Sequence, residues 1–183
     1  MSHLVDETTI SKIVLASTNI GMTYAGIGPD FRVLTDKGRK EVQKYQLEYK
    51  DEMPVSQFTQ RVAAVAQDFT QSGGVRPFGV SLLIAGYDDE GPQLYQADPS
   101  GSYWAWKASA IGSKSKASRD FLEKRYSDDI DIEDAIHTAL LTLKEDFEGT
   151  LTAHNIEVGV IGTDRQFKIL TTQELSYYIT EAA

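Results

Sequence analysis

The chain has 183 residues, 41% of them hydrophobic and 25% charged, a composition typical of a single globular domain with a sizeable core. The absence of cysteine excludes disulfides, thiolate metal sites and a cysteine nucleophile. A formal net charge of −9 disfavours nucleic acid as a partner, because binding to phosphates needs a concentrated basic face. No apolar run approaches the roughly 20 residues that cross a bilayer, and the polar start does not resemble a secretory signal. We therefore expect an intracellular protein that binds neither nucleic acid nor membrane.

The first half of the chain predicts a β-hairpin followed by two long helices. Strands are expected over residues 10–16 and 21–25, with a polar turn between them. Apolar residues at spacings of three and four predict an amphipathic helix over residues 29–49, which opens on a proline. A second helix begins at Pro54 and ends before Gly73. Two such helices in sequence form an αα-hairpin that must pack on an apolar surface.

The second half predicts a block of strands and then three further helices. Residues 80–85 are almost continuously apolar, as expected for a central strand covered on both faces. Asp131 can cap one helix, and Thr171 with Glu174 forms a capping box for the last one. The helix after Asp131 carries an apolar stripe made of Ile132, Ala135, Ile136, Ala139, Leu140, Leu143 and Phe147. The other expected elements are strands over residues 93–97, 103–111 and 156–161 and a short helix over 115–125.

The order of these elements indicates an α+β domain. Helices in consecutive pairs between blocks of strands exclude a doubly wound sheet and favour layered antiparallel sheets. The opening hairpin is a poor start for a sheet that must support two long helices, and it leaves an unpaired edge. We therefore expect that segments upstream of the hairpin in a complete domain are missing.

Three features that could carry chemistry have simpler structural interpretations. The glycine-rich segment over residues 73–79 follows a helix and precedes a strand, the reverse of a phosphate-binding loop, so a helix stop and turn are predicted. The acidic run over residues 128–134 lacks the central glycine and late glutamate of a calcium-binding loop and is predicted to cap a helix. Tyr103, Trp104 and Trp106 are expected in core or interface packing.

Neither histidine chemistry nor a metal site is indicated. His137 lies beside the apolar stripe of its helix, where a boundary residue with one satisfied hydrogen bond is expected. The spacing of His3, His137 and His154 suggests no zinc site, and no cofactor is predicted. The positions of Ser, His and Asp in the sequence do not exclude a Ser–His–Asp triad, because the three residues of a triad come together only in the fold. The Gly-x-Ser-x-Gly motif that often carries the serine is absent.

Several segments, in the right order, closely resemble the proteasome alpha subunits. The resemblance runs from about residue 10 to the C-terminus. Its signature is QSGGVRPFGVSLLIAG at residues 71–86, followed by QADPSG at 96–101 and KASAIG at 107–112, while GPDFRVL at 28–34 fits the start of the family's first long helix. FLEKRY at 121–126 and EDAIHTALLTLK at 133–144 look most like the type-two alpha subunit of eukaryotes.

The resemblance implies both a fold and a place. The fold is a four-layer α-β-β-α sandwich of the N-terminal-nucleophile hydrolase type, formed by residues 1–183 as one domain. The place is the outer ring of the proteasome core particle, in the cytoplasm and nucleus, between two alpha neighbours and above the beta ring. The helix over residues 29–49 and its turn into the second helix would face that beta ring. Ring assembly, gating and the docking of the regulatory particle or other activators are the implied roles.

The resemblance also implies that the chain is not a catalyst. Active beta subunits use an N-terminal threonine that is freed by cleavage after a glycine. Here Thr8 and Thr9 follow Glu7, with no preceding glycine. We therefore predict a non-catalytic subunit with no catalytic residue and no metal ligand.

The expected departure from the family lies at the N-terminus. Alpha subunits begin with a gating tail, a short helix and two strands, and we expect these to be absent. The missing segment would carry a lysine of the pocket that receives activator tails, so none is assigned. An apolar wall residue of that pocket falls at Leu15. Two alternatives stay open: a free-standing N-terminal-nucleophile hydrolase with a processed serine or threonine terminus, and a truncated product that cannot assemble.

Overall fold

The computed structural model describes residue 4 and residues 9–147 and 149–181. The chain divides into two compact units. One, the sheet unit, comprises Val14–Lys107 and Ile161–Phe167. The other, the helical unit, comprises the described parts of Met1–Ile13, Ala108–Val160 and Lys168–Ala183. Both units mix helix with strand or turn, so the predicted α+β class is confirmed.

The sheet unit is built on five strands, counted over the described residues, in which each strand lies beside its neighbour in sequence. Strands two to five pair antiparallel. The strand bounds are β1 Ile13–Ser17, β2 Ile20–Gly26, β3 Val80–Asp88, β4 Gly91–Ala97 and β5 Tyr103–Trp106. Between β2 and β3 lie the two predicted helices, α1 Gly28–Tyr49 and α2 Val55–Gln71.

The core of the sheet unit lies between the helix pair and one face of the sheet. Phe58 of α2 and Ile84 of β3 are both fully buried in it. Gly38 of α1 lets the helices approach, because a Cβ there would lie 3.0 Å from the Phe58 ring and 3.3 Å from Val62. The predicted αα-hairpin and its packing on an apolar surface are thus confirmed.

Burial along β3 corrects one detail of the sequence prediction. Val80, Leu82 and Ile84 are buried, whereas the residues between them are only half-buried. The strand is central, as predicted, because it pairs with β2 on one side and β4 on the other. The face of β3 opposite the core is only half-covered, so the prediction from its continuous apolar sequence that both faces are buried was too strong.

The helical unit contains the three remaining predicted helices. They are α3 Ser115–Arg125, α4 Ile132–Asp146 and α5 Thr172–Glu181. Asp131 caps α4 by accepting a hydrogen bond of 2.8 Å from the Asp134 N–H. The Glu174 carboxylate accepts the Thr171 N–H at 2.8 Å, while the Thr171 hydroxyl accepts the Glu174 N–H at 3.4 Å. Both predicted N-terminal caps are confirmed.

Strand content in the second half of the chain is lower than predicted. The expected strand over residues 103–111 ends at Trp106. The expected strand over 156–161 is reduced to β6 Gly159–Val160, which pairs antiparallel with β7 Lys168–Ile169. Residues 107–111 and 156–158 do not belong to a strand in the described structure, although the Val158 carbonyl accepts the Leu170 N–H at 2.9 Å.

The apolar stripe of α4 is only partly buried. Ile136 and Leu140 are buried, as predicted. Ile132, Leu143 and Phe147 remain exposed by 46%, 49% and 43%. Within the helical unit α4 contacts α3 and α5, and the stripe is wider than the surface that these two helices cover. None of the helices in the described part of the chain is long and apolar enough to span a membrane.

Candidate functional site

Leu15, the predicted wall residue, lies in the middle of β1. Its neighbours Val14 and Ala16 pack into the core, and Ala16 is buried. Because side chains alternate between the two faces of a strand, Leu15 points to the opposite face. Its side chain is 37% exposed. Leu15 therefore presents an apolar surface at the outer strand of the sheet.

Arg39 of α1 binds the backbone at this point. Its Nε and Nη2 atoms donate hydrogen bonds of 2.9 and 2.7 Å to the Leu15 carbonyl oxygen. Hydrogen bonds from a charged donor are shorter and stronger than those between neutral groups. The contact thus ties the middle of an outer strand to the long helix.

An open groove of about 570 Å³ runs along the exposed face of α1. It is lined by Arg39, Lys40, Gln43, Lys44, Leu47 and Glu48. Three of these side chains are cations and one is an anion, which makes the groove locally positive in a chain whose net charge is −9. Leu47 is 73% exposed at its far end.

The start of β1 is held by a carboxylate within the helical unit. Glu157 accepts hydrogen bonds from the Lys12 and Ile13 N–H groups at 2.8 and 3.1 Å. The Ser11 hydroxyl donates to the same oxygen at 3.3 Å. Three donors on one carboxylate oxygen fix residues 11–13 within the helical unit.

The glycine-rich segment is a helix stop and turn, as predicted, and it also carries an ion pair. The Arg76 guanidinium donates two hydrogen bonds to Asp30, from Nη1 to Oδ2 at 2.7 Å and from Nη2 to Oδ1 at 2.9 Å. The Gly79 N–H donates to Oδ2 at 2.9 Å. Arg76 first, and then Gly79, lower the pKa of the Asp30 carboxyl to about 2 from 3.8.

Sequence reasoning missed the role of Asp30. The only available signal was an acidic residue in the first turn of a helix together with a single arginine in a glycine-rich loop. The sequence does not indicate that these two residues pair, because they are far apart in the chain.

The threonine and histidine residues that were considered for catalysis or metal binding form no such site in the described part of the chain. Thr8 and His3 lie outside the described residues, and Thr9 and His154 are exposed. His137 of α4 is half-buried at the predicted boundary position, but its Nε2 atom, 3.2 Å from a carboxylate oxygen of Glu181, forms no hydrogen bond, so the predicted satisfied hydrogen bond is not found at this atom. Among residues 4, 9–147 and 149–181, no three His, Asp or Glu side chains are grouped to hold a metal ion.

The aromatic cluster on β5, for which core or interface packing was predicted, lies largely outside the core. Tyr103 and Trp104 are 40% and 38% exposed, while Trp106 is half-buried. β5 is the outer strand at the end of the sheet opposite β1. Core packing is therefore wrong for Tyr103 and Trp104, and interface packing remains a prediction.

Comparison with known proteins assigns the chain to a family. Residues 1–161 match the model of the family described as proteasome subunit. The chain belongs to the proteasome subunit family. It is 59% identical over 180 residues to proteasome subunit alpha type-2 of Oryza sativa subsp. indica, a match that covers 98% of this chain and 77% of the relative. Identity to the alpha type-2-B subunit of Arabidopsis thaliana is 58% over 180 residues, and to the alpha type-2 subunit of Dictyostelium discoideum 58% over 179 residues.

These relatives confirm three sequence predictions. The chain has the fold of the N-terminal-nucleophile hydrolase type that is common to proteasome subunits. It is an alpha-type subunit, most similar to type two. It is accordingly a non-catalytic component of the proteasome core that assembles with other proteasome subunits.

Proposed function

We propose that this chain fills the type-two position in the outer alpha ring. In that position it holds two alpha neighbours, rests on the beta ring through α1, and helps to receive the regulatory particle or other activators. We propose that it acts in the cytoplasm and nucleus. The single observation that carries this proposal is the 59% identity to an alpha type-2 subunit over 98% of the chain.

The C-terminal end of α1 supports a docking role for this helix. Leu47 and Tyr49 are 73% and 59% exposed on the last turns, and the Tyr49 ring lies 4.5 Å from that of Tyr45. Large apolar side chains grouped on a surface mark protein–protein contacts. The flanking groove is positive, so an acidic or polar partner surface with apolar anchors would fit it. We assign this end of α1 to the beta ring.

The neighbourhood of Leu15 supports the tail-binding part of the proposal. An apolar side chain is presented there on an outer strand of the sheet, on the face opposite to the core. We assign Leu15 to the wall of the tail pocket.

Co-assembly tests the proposed position. A tagged copy of the chain, expressed in eukaryotic cells, is expected to enter core particles and to co-purify with the other six alpha subunits and the beta ring. Native mass spectrometry would show one copy in each outer ring. A chain that purifies alone, or only with chaperones, would favour the alternative of a product that cannot assemble.

A substitution on α1 tests the assigned beta-ring contact. Leu47→Asp is expected to lower incorporation into complete particles about tenfold or more, because it places a charge in an apolar contact. Val33→Asp is the matched control, since Val33 is 46% exposed at the other end of the same helix. Equal incorporation of the two variants would refute this assignment.

A further inference from the structure

The turn between α3 and α4 presents a serine to solvent. Ser127 is exposed two residues after the end of α3, and residues 126–131 belong to no helix or strand. In the described part of the chain, two long hydrogen bonds hold this serine. Its hydroxyl oxygen accepts the Asp129 N–H at 3.4 Å, and its carbonyl accepts the Ile130 N–H at 3.4 Å. Both lie beyond the usual range of such bonds, so the turn is held weakly at this residue.

The hydroxyl of Ser127 is also less engaged than other hydroxyls of this chain. Those of Ser72, Thr142 and Ser176 each donate to the carbonyl four residues earlier, at 2.7 Å. The Ser127 hydroxyl donates no hydrogen bond within the residues that the structure describes. Its proton can therefore be transferred to a partner from solvent without the loss of an internal bond.

A run of carboxylates follows this serine. Five of the seven residues over 128–134 are acidic and exposed, namely Asp128, Asp129, Asp131, Glu133 and Asp134. Asp131 caps α4 by accepting the Asp134 N–H. Asp128 and Asp129 stand directly after the serine and are not part of this cap. A protein that binds the segment around Ser127 by charge must therefore present a basic surface.

We propose that Ser127 is a phosphorylation site for an acid-directed serine/threonine kinase, one that selects serines followed by carboxylates. Basic side chains of the kinase bind Asp128 and Asp129 and bring the Ser127 hydroxyl to its active site. The Ser127 Oγ atom attacks the γ-phosphorus of ATP, so the Oγ–phosphorus bond forms while the bond to the bridging β–γ oxygen breaks. ADP leaves, and the hydroxyl proton passes to the catalytic carboxylate of the kinase.

The chain can accept the added charge next to α3. Lys124 and Arg125 lie in the last turn of that helix, within three residues of Ser127. A phosphoserine carries about −1.5 to −2 charges at neutral pH and forms charge-assisted hydrogen bonds with such cations. We therefore expect the modified chain to keep its fold. The site does not depend on the proposed place in the alpha ring.

Phosphorylation of the isolated full chain tests the proposal. The chain is incubated with a purified acid-directed serine/threonine kinase, magnesium and ATP, and peptide mapping by mass spectrometry locates the phosphate. One phosphate per chain is expected, at Ser127, and Ser127→Ala is expected to lose it. Ser127→Thr retains a hydroxyl and should be phosphorylated, which separates the loss of the acceptor from any loss of fold.

Ser113 provides the matched control serine. It is exposed in a turn of the same unit, just before α3, but its neighbours are Lys114 and Lys116 instead of carboxylates. Ser113→Ala is expected to be phosphorylated like the parent chain. Phosphate that remains on Ser127→Ala, or that maps to Ser113 in the parent chain, would overturn the proposal.

Recognition through the carboxylates is tested by a second pair of variants. Asp128→Asn combined with Asp129→Asn is expected to lower the kcat/KM of the kinase about tenfold, because two charges that it binds are removed. Asp120→Asn combined with Glu145→Gln removes two exposed carboxylates of α3 and α4 away from the serine. This control is expected to change kcat/KM less than about twofold, because distant surface charges are screened. Equal losses in both double variants would reduce the effect to net charge and contradict the assigned recognition.

Discussion

Asp30 and Arg76 form a bidentate ion pair although they lie 46 positions apart in the chain. The pair joins the first turn of α1 to the loop between α2 and β3. The Gly79 N–H is a third donor to this carboxylate, and it binds the Oδ2 atom, which also accepts from Arg76 Nη1. The carboxylate thus fastens the glycine-rich loop to the start of the helix, and the Asp30 side chain is 10% exposed.

Acid is expected to release this clamp. The folded pKa of Asp30 is about 2 and the ordinary value is 3.8, so the carboxylate stabilises the fold above pH 3.8. That stabilisation is lost as the pH falls from 3.8 to 2. Asp30→Asn should therefore be less stable than the parent at pH 7, and the gap should narrow as the pH approaches 2. Urea unfolding at pH 7, 4 and 2.5 measures it.

A pH-independent gap between the two proteins would contradict the clamp. Arg76→Ala serves as the partner variant, since it removes both guanidinium donors and leaves the Gly79 N–H on the carboxylate. The double variant should lose little more than Asp30→Asn alone, because the ion pair can be lost only once.

Gly21 of β2 is expected to tolerate no side chain. The Phe167 ring occupies the position that a Cβ at Gly21 would take. The Phe167 N–H donates to the Thr18 carbonyl at 2.8 Å, which holds this residue next to β2. Gly21→Ala should lower the free energy of unfolding by about 1–3 kcal/mol, because the ring must move in a packed site. Gly73→Ala is the control, because a Cβ at Gly73 would have no atom within 4 Å, and its expected change is within about 0.5 kcal/mol. Thermal unfolding of the two variants decides.

The cap of α4 is expected to contribute measurably to stability. Asp131→Ala removes the acceptor of the Asp134 N–H and should cost about 1 kcal/mol. Asp129→Ala, two residues earlier in the same acidic run, should stay within about 0.5 kcal/mol of the parent. Should both variants lose the same stability in chemical unfolding, the loss would come from the charge of the run and not from the cap.

The isolated chain is expected to lack peptidase activity. Fluorogenic peptides should remain uncut, with or without a threonine-directed inhibitor, because an alpha-type subunit supplies no N-terminal threonine nucleophile. The intact mass of the same sample identifies its first residue. Turnover by pure protein that the inhibitor abolishes would support the free-standing hydrolase instead.

Local signals predicted the helices well. The bounds of α3 agree with the expected 115–125, and the caps at Asp131 and Thr171 are where their residue types indicated. Such caps depend on residues three apart in sequence, so the sequence contains the whole interaction. The fold class and the family followed from motifs with the same local character.

Contacts distant in sequence were not predictable. Arg39 was one of several cations on an amphipathic helix, and nothing in its neighbourhood indicated that it binds the Leu15 carbonyl. The exposure of Leu143 likewise depends on which other elements cover α4, and periodicity gives only the stripe. Periodicity reports which residues share a face, whereas burial depends on what packs against that face.

The open surroundings of Gly73 and Gly74 have a practical consequence. A Cβ at either position would meet no other atom within 4 Å, although the clamp formed by Arg76 begins two residues later. A short epitope placed between these glycines would project from the surface without touching the ion pair. Antibody access to it would report, in the assembled particle, whether this loop faces solvent or a neighbouring subunit.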